Sequence, residues 1–184
     1  MKKLILVAIT AIALTGCQTY NAQMYGVSPD TNYVIKSLKV NEAISVGEFS
    51  LSRPLDTNCR AVGPITLPNN LTFQSYIKKA LEDELKVGGA YAYQSPKVTL
   101  SGRINRLDMS SSKGLLRGYW DIDITLESSN GQSLTASEYY EFDSGFDGFS
   151  ACKNTADGFM PTVQNLIGKI VKSPKFKDLI TTKK

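Results

Sequence analysis

The most regular pattern in the chain is an alternation of apolar and polar residues in its second half. Four apolar residues would face one side of a strand: Trp120, Ile122, Ile124 and Leu126. An earlier strand over 98–109 changes phase after Ile104, and Ser110–Gly114 is predicted to form the turn between the two. A third strand over 134–142 follows Asn130-Gly131, a pair typical of a type I′ hairpin turn. The pattern therefore predicts three antiparallel strands with one solvent-exposed face.

Two other segments repeat their apolar residues at intervals of three and four, which is typical of helices. The first helix is predicted over 71–87 and the second over 150–172. Pro161 falls inside the second segment, so we expect a kink or a division there. A short final turn is predicted to start at Ser173-Pro174.

Two strands are predicted before the first helix, over 33–40 and 44–51. The alternation in the second slips at Gly47, which indicates a β-bulge. Three prolines make 53–70 a predicted loop, with a short edge strand at 65–67. The resulting ββ-α-βββ-α order predicts an α+β protein, in which a mainly antiparallel sheet packs one face against two helices.

Composition narrows the functional classes. The chain contains no histidine, which excludes Ser-His-Asp, Cys-His and most zinc-hydrolase chemistry. Its formal net charge of +4 falls to +2 without Lys2 and Lys3, so the charge gives no support for nucleic-acid binding. We expect a protein without a cofactor and without catalytic activity.

The first 17 residues contain a motif of their own. Lys2-Lys3 precede an apolar run over 4–14, and the run ends in Leu14-Thr15-Gly16-Cys17. This segment resembles the lipobox of bacterial lipoprotein precursors. The resemblance implies cleavage before Cys17 and a diacylglyceryl thioether on its sulfur. The alternatives are an ordinary signal peptide or a short membrane helix, but the run is about half the roughly 20 residues that a span requires.

The lipobox divides the chain into a signal peptide over 1–16, a lipidated Cys17 with a flexible tether over 17–31, and a single periplasmic domain over 32–182. The tether is predicted because this stretch is polar and has no periodicity. Gln18, rather than Asp, follows the lipidated cysteine. In lipoproteins of this kind that difference implies an outer-membrane location facing the periplasm.

With Cys17 acylated, Cys59 and Cys152 remain. Two leftover thiols in an exported protein usually pair, so we predict a disulfide that closes a loop of about 90 residues. Two buried free thiols are the alternative. A metal site is disfavoured, because there is no histidine and the two cysteines lack ligand spacing.

Three groups of residues have both a chemical and a structural interpretation. Asp121 and Asp123 would lie roughly 7 Å apart on one strand face, as a glycosidase pair could, but alternating acids more often mark a solvent face. Asp143 and Asp147 lie in a Gly-rich stretch that suggests calcium but lacks the ligand count. Ser110–Lys113 could suggest a Ser-Lys dyad, and a flexible turn is the simpler interpretation. We expect the structural role in each case.

Two surfaces could bind a partner. Six aromatic residues could line a groove for a lipid or a partner segment, or form the rim of the core: Tyr91, Tyr93, Tyr139, Phe142, Phe146 and Phe149. Six lysines near the C-terminus could contact anionic headgroups, or could simply favour solubility at a helix end: Lys169, Lys172, Lys175, Lys177, Lys183 and Lys184.

Beyond the lipobox, the layout over roughly 65–182 resembles YajG-type uncharacterised lipoproteins of Gram-negative bacteria. The segments that carry the resemblance are 71–82, Asn130-Gly131 and 173–180. That family implies no activity. More distantly, the layout is similar to periplasmic accessory lipoproteins that serve lipid-transport complexes.

The first functional hypothesis is a non-enzymatic outer-membrane lipoprotein that acts as an adaptor or binding module. Its partners would be the membrane, through the N-terminal lipid, and an unidentified envelope protein or lipid. The alternative is an accessory subunit of a lipid or lipopolysaccharide transport system that holds an acyl chain.

Overall fold

The computed structural model describes residues 19–40, 43–114 and 116–181. Cys17 and the predicted signal peptide therefore lie outside the described residues. None of the helices in the described ranges combines the length and the apolar character that crossing a bilayer requires.

Seven strands and four α-helices are described. The strands are β1 (Tyr20–Asn21), β2 (Ile44–Leu51), β3 (Asn58–Cys59), β4 (Gly63–Thr66), β5 (Val98–Lys113), β6 (Arg117–Ser128) and β7 (Ser133–Asp143). The helices are α1 (Pro29–Ser37), α2 (Phe73–Val87), α3 (Gly148–Lys172) and α4 (Pro174–Ile180). The predicted α+β class is confirmed.

The main sheet has the strand order β2-β5-β6-β7. Strands β5, β6 and β7 form the predicted antiparallel meander. Strand β2 instead runs parallel to β5, because α2 carries the chain back across the sheet between them. The main sheet is therefore mainly antiparallel, as predicted, and mixed rather than purely antiparallel. Both predicted irregularities are present, as register shifts between Val46 and Phe49 and between Ile104 and Arg106.

One face of the main sheet is buried against α2 and α3. Trp120 is fully buried, and its indole nitrogen donates a 2.8 Å hydrogen bond to the Thr155 carbonyl of α3. Its ring packs against Phe73 and Phe159, with centroid distances of 5.8 and 4.7 Å. The apolar positions whose alternation predicted β6 are thus those that face the helices. The other face of the meander is only partly buried and polar.

The first predicted strand, over 33–40, is wrong. Residues Pro29–Ser37 form α1 instead, and the Ser28 side chain caps the helix by accepting a hydrogen bond from the Thr31 amide. Pro29 occupies the first turn, where its fixed φ suits a helix and its missing N–H costs nothing. The helix buries Thr31, Asn32 and Ile35, so its inner face is too polar to produce an apolar period.

The predicted boundary between tether and domain is also corrected. Strand β1 pairs in parallel with β4, Tyr20 opposite Ile65, within a small sheet of order β1-β4-β3. Tyr20 and Ala22 are both about 95% buried. Among the described residues, the folded unit therefore includes the segment from Tyr20 onwards and is not limited to residues after 31.

Two predicted turns differ from those observed. The loop after β6 forms the predicted hairpin, but in it only Gly131 has a positive φ, of 85°. A type I′ turn needs two such residues, so this loop is a type I turn followed by a left-handed glycine. The serines of Ser110–Gly114 continue β5, and the chain reverses after Lys113.

Pro161 does not divide the second predicted helix, because α3 continues through it to Lys172. Next to the proline, the Thr162 hydroxyl donates a hydrogen bond to the Gly158 carbonyl.

Candidate functional site

The predicted disulfide is confirmed: Cys59 of β3 is bonded to Cys152 in the first turns of α3, with a Cα–Cα distance of 5.7 Å. Both residues are buried. The bond joins the small sheet to the helix that forms the centre of the core.

Arg60, next to the disulfide, connects its own turn to the end of β5 and to the loop before α3. Its guanidinium donates hydrogen bonds of 3.0 Å to the Phe146 carbonyl and 2.5 Å to the Ser111 carbonyl. The Ser144 hydroxyl donates to the same Ser111 carbonyl, and the Ser144 amide donates to the Leu116 carbonyl at 2.8 Å. We call the described residues of 59–62, 111–116 and 144–149 the bridged end of the domain.

The bridged end exposes large apolar side chains. Phe146 is 86% exposed, Phe149 and Leu116 are each 52% exposed, and Val62 is 39% exposed. Isolated exposed apolar residues are ordinary, but four at one end of a domain are characteristic of a binding surface.

Residues 20–28, which we call the N-terminal strap, run along α3 from this end towards the other. The Tyr20 and Phe149 rings meet edge to face with centroids 5.9 Å apart. Further along, the Gln23 amide donates to Asp157, and the Gln164 amide donates to the Gly26 carbonyl at 2.6 Å. The described part of the strap therefore has its first residue, Tyr20, at the bridged end.

A buried carboxylate on α2 fastens the strap. Glu84 is fully buried, and its Oε1 accepts hydrogen bonds of 2.7 Å from both the Tyr25 hydroxyl and the Ser28 amide. Its Oε2 accepts a 2.5 Å hydrogen bond from the Asn32 side chain. The Tyr76 hydroxyl adds a 2.8 Å bond to the Gln23 carbonyl. The segment predicted to be a flexible tether is thus bound to both α2 and α3.

Burial raises the pKa of Glu84, an effect that hydrogen bonds from Tyr25 and Ser28 partly offset. Burial also raises the pKa of Tyr25, and the adjoining Glu84 carboxylate raises it further. Tyr25 therefore remains a hydrogen-bond donor at neutral pH, which suits a phenol facing a carboxylate.

The two aspartates considered as a catalytic pair each have a structural partner. Asp121 accepts two hydrogen bonds from Arg106, of 2.8 and 2.9 Å, and Asp123 accepts one of 2.7 Å from Asn105. The polar face of the sheet thus holds both carboxylates in side-chain pairs across β5 and β6.

The suggested calcium ligands and the suggested Ser-Lys dyad are also accounted for. Asp147 caps α3 by accepting a hydrogen bond from the Ser150 amide, and that bond lowers its pKa. Asp143 pairs with Arg117. Lys113 points across the sheet to Glu141 and Tyr139, whose hydrogen bonds raise the pKa of its ammonium. No cluster of three or more metal-ligating side chains occurs among the described residues.

The six aromatic residues of the predicted groove do not line one surface. Tyr91 and Tyr93 contact each other near the start of β5, whereas Phe146 and Phe149 lie at the bridged end, beyond the other end of that strand. From residue 98 to residue 111 an extended strand spans about 40 Å. The two pairs are therefore too far apart to share a ligand.

The remaining two residues of that set lie on opposite faces of β7. Tyr139 stacks on Tyr119 on the partly exposed sheet face, with centroids 5.1 Å apart. The Phe142 ring instead packs inward, against Gly118 and Gly158.

The described C-terminal lysines lie at the end opposite the disulfide, because α3 is about 37 Å long and begins at the bridged end. Lys169 lies 2.5 Å from the buried Glu138 carboxylate and, with Lys172, lines a cleft of about 360 Å³ beside α1. Lys183 and Lys184 lie outside the described residues.

Two buried carboxylates, Glu84 and Glu138, were not predicted from the sequence. Glu84 follows Ala80 and Leu81 by four and three residues, so it falls on the apolar stripe of α2. Glu138 alternates with Leu134 and Ala136 on the inner face of β7. An acidic residue at an apolar position of a periodic element is the signal that could have identified both.

No known family matches the sequence, and no curated protein matches it. Among solved structures, a DUF330-family protein from Xanthomonas campestris aligns with a TM-score of 0.52 and 10% identity, covering 84% of this chain and 95% of that one. A candidate lipoprotein from Caulobacter crescentus aligns with a TM-score of 0.44 and 14% identity, covering 77% of this chain and 89% of that one. The first alignment shows that this fold occurs in another bacterial protein of similar length.

Proposed function

We propose that the protein is an acylated envelope lipoprotein whose domain acts by binding rather than by catalysis. Cys17 carries the lipid, the outer membrane holds the protein, and the domain faces the periplasm. The lipobox over 14–17 supports the lipid, and the Cys59–Cys152 disulfide is typical of an oxidising compartment.

One observation carries this proposal: the strap reaches Tyr20, and Tyr20 lies only three positions after Cys17 in the sequence. Three residues span at most about 11 Å. Since Tyr20 is 95% buried, a lipid on Cys17 would be attached almost directly to the folded domain. A lipid placed there would hold the bridged end next to the bilayer and direct the opposite end into the periplasm.

The surface we propose for the protein partner is the polar face of β5, β6 and β7. The helices pack against the other face, and the stacked Tyr119 and Tyr139 give this one a rigid aromatic centre. Tyr139 is 46% exposed. Tyrosines that combine apolar area with a hydroxyl group are enriched where proteins meet.

The first experiment tests the anchor. The protein is purified from membranes of its native host, and the mass of its N-terminal peptide is measured. We expect a peptide that begins at Cys17 and carries acyl groups, and a Cys17→Ala variant that lacks them. An unmodified peptide, or a protein recovered free of the membrane fraction, would refute the proposal.

The second experiment tests the binding surface in cells. A photo-crosslinking residue replaces Tyr139 on the sheet face or, as a matched control, Tyr33 on α1, which is 76% exposed. We expect a discrete crosslinked envelope protein at Tyr139 and none at Tyr33. Equal labelling at both positions would contradict the assignment of this face. A lipid retained in native mass spectrometry would instead favour the acyl-chain-binding alternative.

A further inference from the structure

We propose that the bridged end is a second membrane contact, whose exposed apolar side chains enter the bilayer interface beside the lipid anchor. Phe146 is the centre of this contact, with Phe149, Leu116 and Val62 around it. The inference rests on the proposed acylation of Cys17, and its occupant is a phospholipid bilayer.

The path of the chain places the anchor at these side chains. Tyr20 packs edge to face on Phe149, and the chain leaves Tyr20 towards Cys17. The chain can span at most about 11 Å between Tyr20 and Cys17, which is too short to bring any other end of the domain to the membrane. The acyl chains and the exposed aromatic rings therefore have to meet the same bilayer.

The bridged end is rigid enough to present these rings. The disulfide fixes 59–62 to α3, and Arg60 holds the loops that carry Ser111 and Phe146. The Leu116 carbonyl is fixed by the Ser144 amide. These bonds fix the backbone positions from which the apolar side chains project, so the same side chains are presented together at this end of the domain.

Arg117 and Lys153, near the bridged end, both form ion pairs, which favours apolar insertion over attraction to anionic lipid. Arg117 lies 2.5 Å from Asp143, and Lys153 lies 2.6 Å from Asp157. A polybasic contact would need unpaired cations near the anchor. The lysines of α4 lie at the other end of α3, about 37 Å away.

The test measures how deeply residue 146 enters the bilayer. The full-length protein, purified from membranes with Phe146→Trp, is reconstituted into vesicles of phosphatidylethanolamine and phosphatidylglycerol that contain lipids with brominated acyl chains. Tyr93→Trp is the matched control, because Tyr93 is 77% exposed and lies near the opposite end of β5. Trp120, which is fully buried, provides the same background in both variants.

We expect the fluorescence lost to bromine with Phe146→Trp to be about twofold that with Tyr93→Trp. The difference should persist when phosphatidylcholine replaces phosphatidylglycerol. Equal quenching of the two variants in acylated protein would overturn the inference and leave the proposed function intact. Quenching that disappears without the anionic lipid would also overturn it.

The mass of Cys17 in each preparation separates the two proposals. If Cys17 is unmodified, both the proposed function and this inference fail. If Cys17 is acylated but residue 146 is not quenched, this inference alone fails. In that case a photo-crosslinker at residue 146 that captures an envelope protein would reassign the bridged end to a protein partner.

Discussion

The carboxylate of Glu84 in α2 accepts a 2.5 Å hydrogen bond from the side-chain amide of Asn32 in α1, and both residues are buried. The same carboxylate accepts hydrogen bonds from Tyr25 and Ser28. A single side chain thus connects the strap and α1 to the core.

Glu84→Ala should lower the free energy of unfolding by about 3 kcal/mol, because it removes a buried acceptor that three hydrogen bonds share, from Tyr25, Ser28 and Asn32. Urea unfolding followed by Trp120 fluorescence measures the change. Glu82→Ala is the control: Glu82 forms a 3.2 Å surface pair with Lys86, so its loss should cost at most about 0.5 kcal/mol. Equal costs for the two variants would show that Glu84 does not fasten the strap.

The pH dependence of the free energy of unfolding should also reveal the ionisation of Glu84. Burial raises its pKa in the folded protein above the value in the unfolded chain, so ionisation favours unfolding. The stability it contributes is complete below about pH 4 and is lost as the pH rises through the folded pKa. Glu84→Gln removes this titration. The free energy of unfolding of the wild type minus that of Glu84→Gln should therefore fall as the pH rises above about 4, and a constant difference would contradict the assignment.

The disulfide closes a loop across a sequence separation of 93 residues. In the chain-entropy model such a loop stabilises the fold by about 4 kcal/mol. A reducing agent should therefore lower the urea midpoint of the wild type markedly. The double variant Cys59→Ser/Cys152→Ser should start near that lower midpoint and should not respond to the reductant. A wild-type midpoint insensitive to reduction would refute this expectation.

Asn130 holds the C-terminal helix to the hairpin after β6. Its side-chain nitrogen donates to the carbonyls of Asp178 and Thr181, at 2.8 and 2.7 Å, while its oxygen accepts from the Gln132 amide. Asn130→Asp keeps the acceptor and removes the donor. We expect a loss of about 1–2 kcal/mol and faster hydrogen exchange in α4. Unchanged exchange there would show that α4 is held by its apolar residues alone.

Two glycines of α3 should respond in opposite directions to alanine. A Cβ on Gly158 would lie 2.8 Å from the Phe142 ring, which Gly118 confines on its other side. Gly158→Ala should therefore cost about 1 kcal/mol or more. A Cβ on Gly168 would lie 3.5 Å from the Thr31 hydroxyl, an ordinary contact. Gly168→Ala should therefore gain up to about 1 kcal/mol from helix propensity, as thermal unfolding of both variants would show.

The elements predicted correctly from the sequence are those in which a periodic apolar face meets one partner layer. Helix α2 and strand β6 are of this kind, since each turns a single apolar stripe towards the core. The β-bulges were also visible, because a slip in an alternating pattern has no other simple cause.

Helix α1 and the strap could not be found in the same way, because polar atoms fasten them. The inner face of α1 carries Thr31 and Asn32, and the β-branched Val34 and Ile35 favoured a strand. The Ser28-Pro29-Asp30 start is a helix signal that the apolar pattern concealed. The residue that binds this segment, Glu84, lies 52 positions from Asn32 in the chain, so no local pattern connects them.

The disulfide was predictable because only two cysteines remained to pair. The positions of the aromatic residues on different surfaces were not predictable in this way, since their closeness in sequence concealed a reversal of the chain. Phe142 is partly buried and packs against the core, whereas Phe146, four residues later, is 86% exposed.

The short interval between Cys17 and Tyr20 has a consequence for reach. An acylated protein with so short a connection between lipid and domain cannot move far from the membrane. The distance that it reaches into the periplasm is set by the length of the domain itself. Strand β5, with 16 residues, extends about 50 Å. If Cys17 carries the proposed lipid, a partner has to come within that distance of the membrane to contact the domain.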